Sequence, residues 1–274
     1  MKVQLSNEKL QILLNSYDEG YSLKVSGQKV GISPDVAKRI LKENGRTIRP
    51  YATKVTDNGN REKVKNKTFF SKENENPDMA WLLGFLAADG TVRQKNNNIK
   101  IGLSSKDEEI LFKIKNLLEL TNSSVTHYET NKGYDVSELA RTCKQHKIDL
   151  ARYGIVTNKT FCLKPPYDLD KKYYKDYIRG YFDGDGSISI NSGKYLRFSI
   201  VSGTKEILEF IINVFYDNGI EKVKIMEDNR HLHTNYYFSY ANKESIKIYD
   251  FLYYDNCLCL NRKKEKFDKI ILRI

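Results

Sequence analysis

The apolar positions of the chain change period several times, and each change marks an element. Leu10, Leu13 and Leu14 follow a helical spacing, with Ser6 ahead of them as a cap and Gly20 as a stop. A second short helix is expected at about 22–30. A tight turn at Gly31-Ile32-Ser33-Pro34 leads into a third helix that buries Val36, Ile40 and Leu41 and ends at Gly45. Ser33 suits its N-cap because a hydroxyl can accept from an unsatisfied first-turn N–H, and Pro34 suits the first helical position, where no N–H is needed. Residues 45–77 lose apolar periodicity and read as a linker. Beyond them, alternating strands are expected at 98–104, 123–129, 134–140, 187–191, 195–201, 221–228 and 235–241, with helices at 106–120, 142–153, 204–218 and 243–255.

The second part of the chain repeats itself. Trp81–Gly90 (WLLGFLAADG) aligns with Tyr177–Gly186 (YIRGYFDGDG), so that Gly84 matches Gly180, Ala88 matches Gly184, Asp89 matches Asp185 and Gly90 matches Gly186, each 96 residues on. The likeness continues into the next helix, where Glu109-Ile110-Leu111 matches Glu206-Ile207-Leu208. Each unit reads helix, two strands, helix, two strands, helix. The expected class is therefore α+β: two pseudo-twofold αββαββα repeats forming antiparallel sheets, behind a small all-α N-terminal domain. The divisions expected are a helical domain at 1–45, a basic linker at 46–77, a first repeat at 78–166 and a second at 167–274.

Charge narrows the choice of partner. Lys and Arg number 46 against 35 Asp and Glu, a net +11, which favours a polyanion, nucleic acid ahead of an acidic membrane surface. Residues 1–77 hold 15 basic against 9 acidic residues, so the excess per residue is greatest there. No apolar run approaches the ~18 residues of a membrane span. The start MKVQLSNEKL has no apolar signal region, so no membrane or secretory role is expected. Cys143, Cys162, Cys257 and Cys259 form no C-x-x-C pair, which argues against a disulfide framework or structural zinc and fits a cytoplasmic location.

The repeated helix carries the candidate chemistry. Gly84 and Ala88 share one helix face, as do Gly180 and Gly184, and small residues let two helices approach closely. Helices packed back to back along these stripes bring their C-terminal ends together, and those ends bear Asp89 and Asp185. Two carboxylates at negatively polarised helix ends repel unless cations bind between them. Mg2+ prefers such oxygen ligands, and paired metals can activate water and stabilise a leaving oxygen in phosphodiester hydrolysis. A G-x-x-x-A helix alone is ordinarily a packing device; it is the repetition that singles this one out. DGDGSIS at 183–189 suggests a calcium loop, but the Gly and Glu that loop requires fall on Ile188 and Lys194. His231 and His233 find no third ligand at suitable spacing. Asp183 is open between a group behind the acids and a solvated side chain.

Leu82–Gly90 and Ile178–Gly186 resemble the LAGLIDADG motif of homing endonucleases, and the segment from about 68 to 270 resembles a single-chain, two-motif member. That resemblance implies saddle-shaped sheets in the major grooves of a long asymmetric double-stranded DNA target, bound by a monomer. It implies Mg2+-dependent double-strand cleavage with two or three ions, for which Mn2+ or Ca2+ substitute in binding. Asp89 and Asp185 match the metal-binding acids, beside the backbone carbonyls of Ala88 and Gly184. The family's basic group after the last helix of each unit falls on Lys159 and Lys263, with Arg262 and Lys264 as rivals of the latter. Ala87, Arg179 and Gly184 depart from the motif at packing positions.

Strand parity separates an apolar sheet face from a polar one. Lys100, Ser187, Ser189, Asn191, Arg197, Ser199, Lys222 and Lys224 fall on the polar side, and Arg93 and Lys95 precede the 98–104 strand. A solvated face is the default for such residues; the family resemblance makes them DNA contacts. The first 45 residues resemble the helix-turn-helix of recombinases and repressors, which implies DNA contacts by Lys38, Arg39 and Lys42 of the third helix and by Arg46 and Arg49 after it. Two alternatives stand beside the nuclease: a splicing maturase that binds intron RNA, and a catalytically silent DNA-binding regulator, which retention of both acids disfavours. Self-splicing is not expected, since Met1 opens the chain and Leu272-Arg273-Ile274 close it.

Overall fold

In the computed structural model, which describes residues 5–49, 64, 66–120, 125–191, 195–230 and 233–271, three serines start the first three helices. Ser6 caps α1 (Asn7–Asp18), Ser22 caps α2 (Leu23–Lys29) and Ser33 caps α3 (Pro34–Glu43), each hydroxyl accepting from the N–H three residues on. Gly45 then takes φ +77°, the left-handed turn-off that a side chain would strain. Part of the expected linker, at 50–63 and 65, lies outside the described residues, as does His231.

The chain divides into two compact units, one built on the N-terminal helices and residues 102–140, the other on residues 64–101 and 141–274. In the first, Leu13, Leu14, Tyr17, Val30, Ala37, Ile40 and Leu41 form the core of the helical cluster. The cluster rests on α5 (Glu108–Leu117): the Tyr21 and Phe112 rings lie 4.7 Å apart, and the Ser22 N–H donates to Glu108 Oε1 at 3.3 Å. Glu108 is buried, and Ser137 Oγ donates to its other oxygen at 2.9 Å, so its charge is met by hydrogen bonds.

In the second unit, α4 (Pro77–Asp89) lies along α7 (Tyr174–Asp185). A Cβ on Gly84 would stand 1.9 Å from the Tyr177 carbonyl oxygen, and one on Gly180 would stand 1.9 Å from the Trp81 carbonyl oxygen. Only hydrogen fits at either position, so the small-residue stripes set the approach of the two helices.

The same strand order follows each seam helix. β1 (Gly90–Val92), β2 (Asn98–Ser104), β3 (Thr126–Glu129) and β4 (Asp135–Thr142) are ordered β1-β2-β4-β3. β5 (Gly186–Asn191), β6 (Tyr195–Ser202), β7 (Met226–Asp228) and β8 (Asn235–Ala241) are ordered β5-β6-β8-β7. With α5, α6 (Lys144–Arg152), α8 (Lys205–Asp217) and α9 (Asn242–Leu252), this is the αββαββα pattern twice over.

Two expectations need correcting. The strand expected at 221–228 pairs only at 226–228, so Lys222 and Lys224 precede the ladder. There the backbone is drawn toward α9 instead, with the Glu221 N–H donating to Glu244 Oε2 at 2.9 Å. A further helix, α10 (Asn261–Ile271), closes the described chain, and Lys263 lies in its first turn.

Candidate active site at the repeat seam

The ends of α4 and α7 meet where the glycine stripe runs out. A Cβ on Gly184 would lie 2.3 Å from the Ala88 Cβ and 3.2 Å from Asp89 Oδ2, so Gly184 leaves a cradle into which the Asp89 carboxylate leans. Asp185 feels both the burial of the site and the charge of Asp89; together they push its carboxyl up to about 6, against the pull of Lys159 and Lys263. The two acids thus share one electrostatic site.

Each acid has a lysine behind it. Lys159 Nζ donates to the Ala88 carbonyl at 2.7 Å, at the end of α4. Lys263 Nζ is buried against the end of α7 and donates to the carbonyls of Phe182 (2.7 Å), Gly184 (3.0 Å) and Gly186 (2.6 Å). Both cations complement the negative pole of the helix they cap. Burial lowers both ammonium groups, Lys263 to about 8, while the neighbouring acids oppose the shift. The Ala88 and Gly184 carbonyls therefore each already accept from a lysine; a carbonyl has a second lone pair.

Behind the acids lies a network that sequence reasoning left open. Asp183 is only 2% exposed, not solvated. Its Oδ2 accepts from Trp81 Nε1 (2.8 Å) and from the Leu260 N–H (2.9 Å), and the Tyr253 hydroxyl donates to Oδ1 at 3.4 Å. Burial pushes this carboxyl up to about 6. Arg179, fully buried, pairs with Asp176 at 2.8 Å and donates to the carbonyls of Leu252 and Leu258, each at 2.9 Å. Asp183 and Arg179 therefore fasten the 252–260 segment that carries Lys263 into place. The one legible signal was Trp81, whose indole N–H needs an acceptor when buried.

The remaining expected contacts are dispersed. Lys38 and Lys42 are exposed on α3, and Arg39 pairs with Glu43 at 3.2 Å. Arg46 pairs with Asp18 at 2.7 Å, and Arg49 donates to the carbonyls of Tyr17 (2.9 Å) and Tyr21 (2.6 Å), so both fasten the segment after α3 to its own cluster. Arg93 and Lys95 are exposed between β1 and β2, and Lys100 is half-buried on β2. Ser187 and Ser199 share a hydrogen bond of 3.1 Å, and Arg197 donates to Ser239 Oγ at 3.2 Å. Ser189 is half-buried on β5; Asn191 ends that strand, its side chain outside the described residues. Lys222 and Lys224 are exposed, and the His233 ring lies 4.7 Å from that of Phe161.

No cluster of three or more His, Cys, Asp or Glu suited to a metal occurs among the described residues. The seam offers two carboxylates and the Gly184 cradle, a donor set that fits a hard divalent cation with water or phosphate completing its shell. No helix among the described residues is long and apolar enough to cross a membrane.

Two matching αββαββα halves, each opening on a seam helix that ends in Asp-Gly, define the LAGLIDADG class of fold. The chain belongs to the LAGLIDADG-like domain family, which it matches over residues 76–160 and 172–251. It is 25% identical over 180 residues to the DNA-directed RNA polymerase subunit Rpo1C of Methanocaldococcus jannaschii, a match covering 64% of this chain and 20% of that one. The chain thus spans about a fifth of that relative. Among solved structures it is similar to the homing endonuclease I-WcaI bound to its DNA recognition sequence, at 12% identity and a TM-score of 0.48 over 77% of this chain and 95% of that one. It is also similar to full-length DUF199/WhiA from Thermatoga maritima, at 20% identity and a TM-score of 0.46 over 74% of this chain and 61% of that one.

Proposed function

We propose that the chain is a site-specific double-strand DNA endonuclease of the homing type, acting as a monomer with Mg2+. The observation that carries this reading is the meeting of Asp89 and Asp185 at the ends of two helices that only glycine lets approach. Asp89 and Asp185 would hold the metal, and the second lone pairs of the Ala88 and Gly184 carbonyls are available beside them. A divalent cation bound there supplies a more acidic water and a charge to stabilise the departing oxygen. Lys159 spends one donor on Ala88 and keeps others for a phosphate oxygen. Lys263 holds the end of α7, and with it Asp185, in position. The polar faces of the two sheets, with Lys100 and Arg197, meet the bases, and Lys38 and Lys42 on α3 add a second attachment that raises the effective concentration of the nuclease on its target.

The test is incubation with a randomised plasmid library and Mg2+, beside Asp89→Asn and Asp185→Asn. Linear product is expected from the unaltered protein and from neither variant. Cutting that survives both substitutions overturns the assignment. So does tight binding of intron RNA, or of DNA, by a protein that never cuts.

A further inference from the structure

The outward face of the second sheet is built in rows. Residues paired across an antiparallel ladder share a face, and every second residue of a strand returns to it. Buried Phe198, Ile200, Phe238 and Tyr240 mark the inner face. The opposite face carries three successive rows read from the register: Ser189, Arg197 and Ala241; then Ser187, Ser199 and Ser239; then Val201, Tyr237 and Met226.

The third row is anomalous for a solvated face. Val201 is 43% exposed and Met226 is 45% exposed, side by side with Tyr237 between them. An apolar row beside hydroxyls and an arginine, on a chain of net charge +11, suits a polyanion whose interior offers one apolar group. In the major groove that group is the C5-methyl of thymine.

Resting on the proposed function, we propose that Val201 and Met226 select thymine by its methyl group, and that Arg197 reads a guanine some four base pairs away. Same-face residues on a strand are about 6.8 Å apart, and base pairs rise about 3.4 Å, so each row advances about two pairs where the strand follows the groove. Arg197 and Val201 are two rows apart. Ser239 accepts from the Arg197 guanidinium at 3.2 Å and so aims it. The serine row between them tolerates several bases, since a hydroxyl both donates and accepts.

The experiment selects duplexes from a randomised pool with the full chain in EDTA, then replaces thymine by deoxyuridine in the selected site. Deoxyuridine keeps every hydrogen-bonding group and loses only the methyl. The expected result is a thymine enriched about four pairs from a guanine, and binding about fourfold weaker per methyl removed, the equivalent of ~0.8 kcal/mol. Val201→Ser combined with Met226→Ser, both at exposed positions, should bind thymine and deoxyuridine duplexes alike while keeping the guanine. Equal binding of the two duplexes by the unaltered protein overturns the inference. A pool that yields a preferred sequence without enriched thymine does so too, and leaves the nuclease reading standing. A pool that yields no preferred sequence overturns the nuclease reading and this inference with it.

Discussion

The ends of α4 and α7 have the same backbone and different chemistry. Each helix presents a small-residue stripe, an aspartate and a glycine stop, yet the position before the last turn's small residue is Ala87 in one and Asp183 in the other, both buried. The end of α4 accepts one lysine N–H, at Ala88, whereas Lys263 bridges three carbonyls at the end of α7. The pseudo-twofold symmetry therefore belongs to packing, where glycine leaves no freedom. The hydrogen-bond network is asymmetric because a buried carboxylate needs partners on one side only, and Trp81 of the first motif supplies one of them.

The largest effect is expected from breaking the symmetric part. Gly84→Ala or Gly180→Ala drives a methyl into a carbonyl oxygen of the facing helix. Each should cost more than ~3 kcal/mol in urea unfolding, beyond ordinary overpacking because backbone cannot repack. The asymmetric part comes next. Asp183→Leu strands the Trp81 and Leu260 N–H groups and should cost ~2–5 kcal/mol. Asp183→Asn keeps an acceptor in the same place and should cost under ~1 kcal/mol. Equal costs would mean that shape, not hydrogen bonding, holds the seam.

Acid titration sharpens the same contrast. His146 is buried, accepts from Arg141 Nε at 3.1 Å through Nδ1, and is pushed down to about 4 by burial and then by Arg141. Its folded value lies below the unfolded 6.5, so the unfolded chain binds more protons and stability falls as pH drops from about 6.5 to about 4, by at most ~3 kcal/mol. Asp183 works in the opposite sense: its folded value of about 6 exceeds the unfolded 3.8, so it adds stability as pH falls through that window. His146→Gln should remove the acid loss, and the remaining profile should tilt toward greater stability at low pH. A smaller effect than at the glycines is expected on stability at the lysines. Lys263→Ala should destabilise by ~1–3 kcal/mol because three carbonyls, two of them buried, lose their donor, and Lys159→Ala by less, while impairing cleavage more.

How much of this was legible follows from the range of the forces. The repeat, the Ser6 and Ser33 caps and the glycine stripe act locally or by simple spacing, and the structure has them where the pattern puts them. Asp183 was not legible, because its partners come from residues 81, 253 and 260, which periodicity does not connect. Arg46 and Arg49 carry charge that composition assigns to a partner; geometry spends it on Asp18 and on the Tyr17 and Tyr21 carbonyls. Lys222 and Lys224 alternate with apolar residues as strand residues do, but alternation does not say where a ladder stops.

The central claim is that Asp89 and Asp185 strain against each other at one seam. The most direct test is a double-mutant cycle in urea at pH 7 with EDTA. Asp185 is raised to about 6 from 3.8, so its charge costs stability, and Asp185→Asn should stabilise the fold by up to ~3 kcal/mol. Asp89→Asn should then add less in that background than alone, since the repulsion can be relieved only once. A destabilised Asp185→Asn, or strictly additive effects, would contradict it.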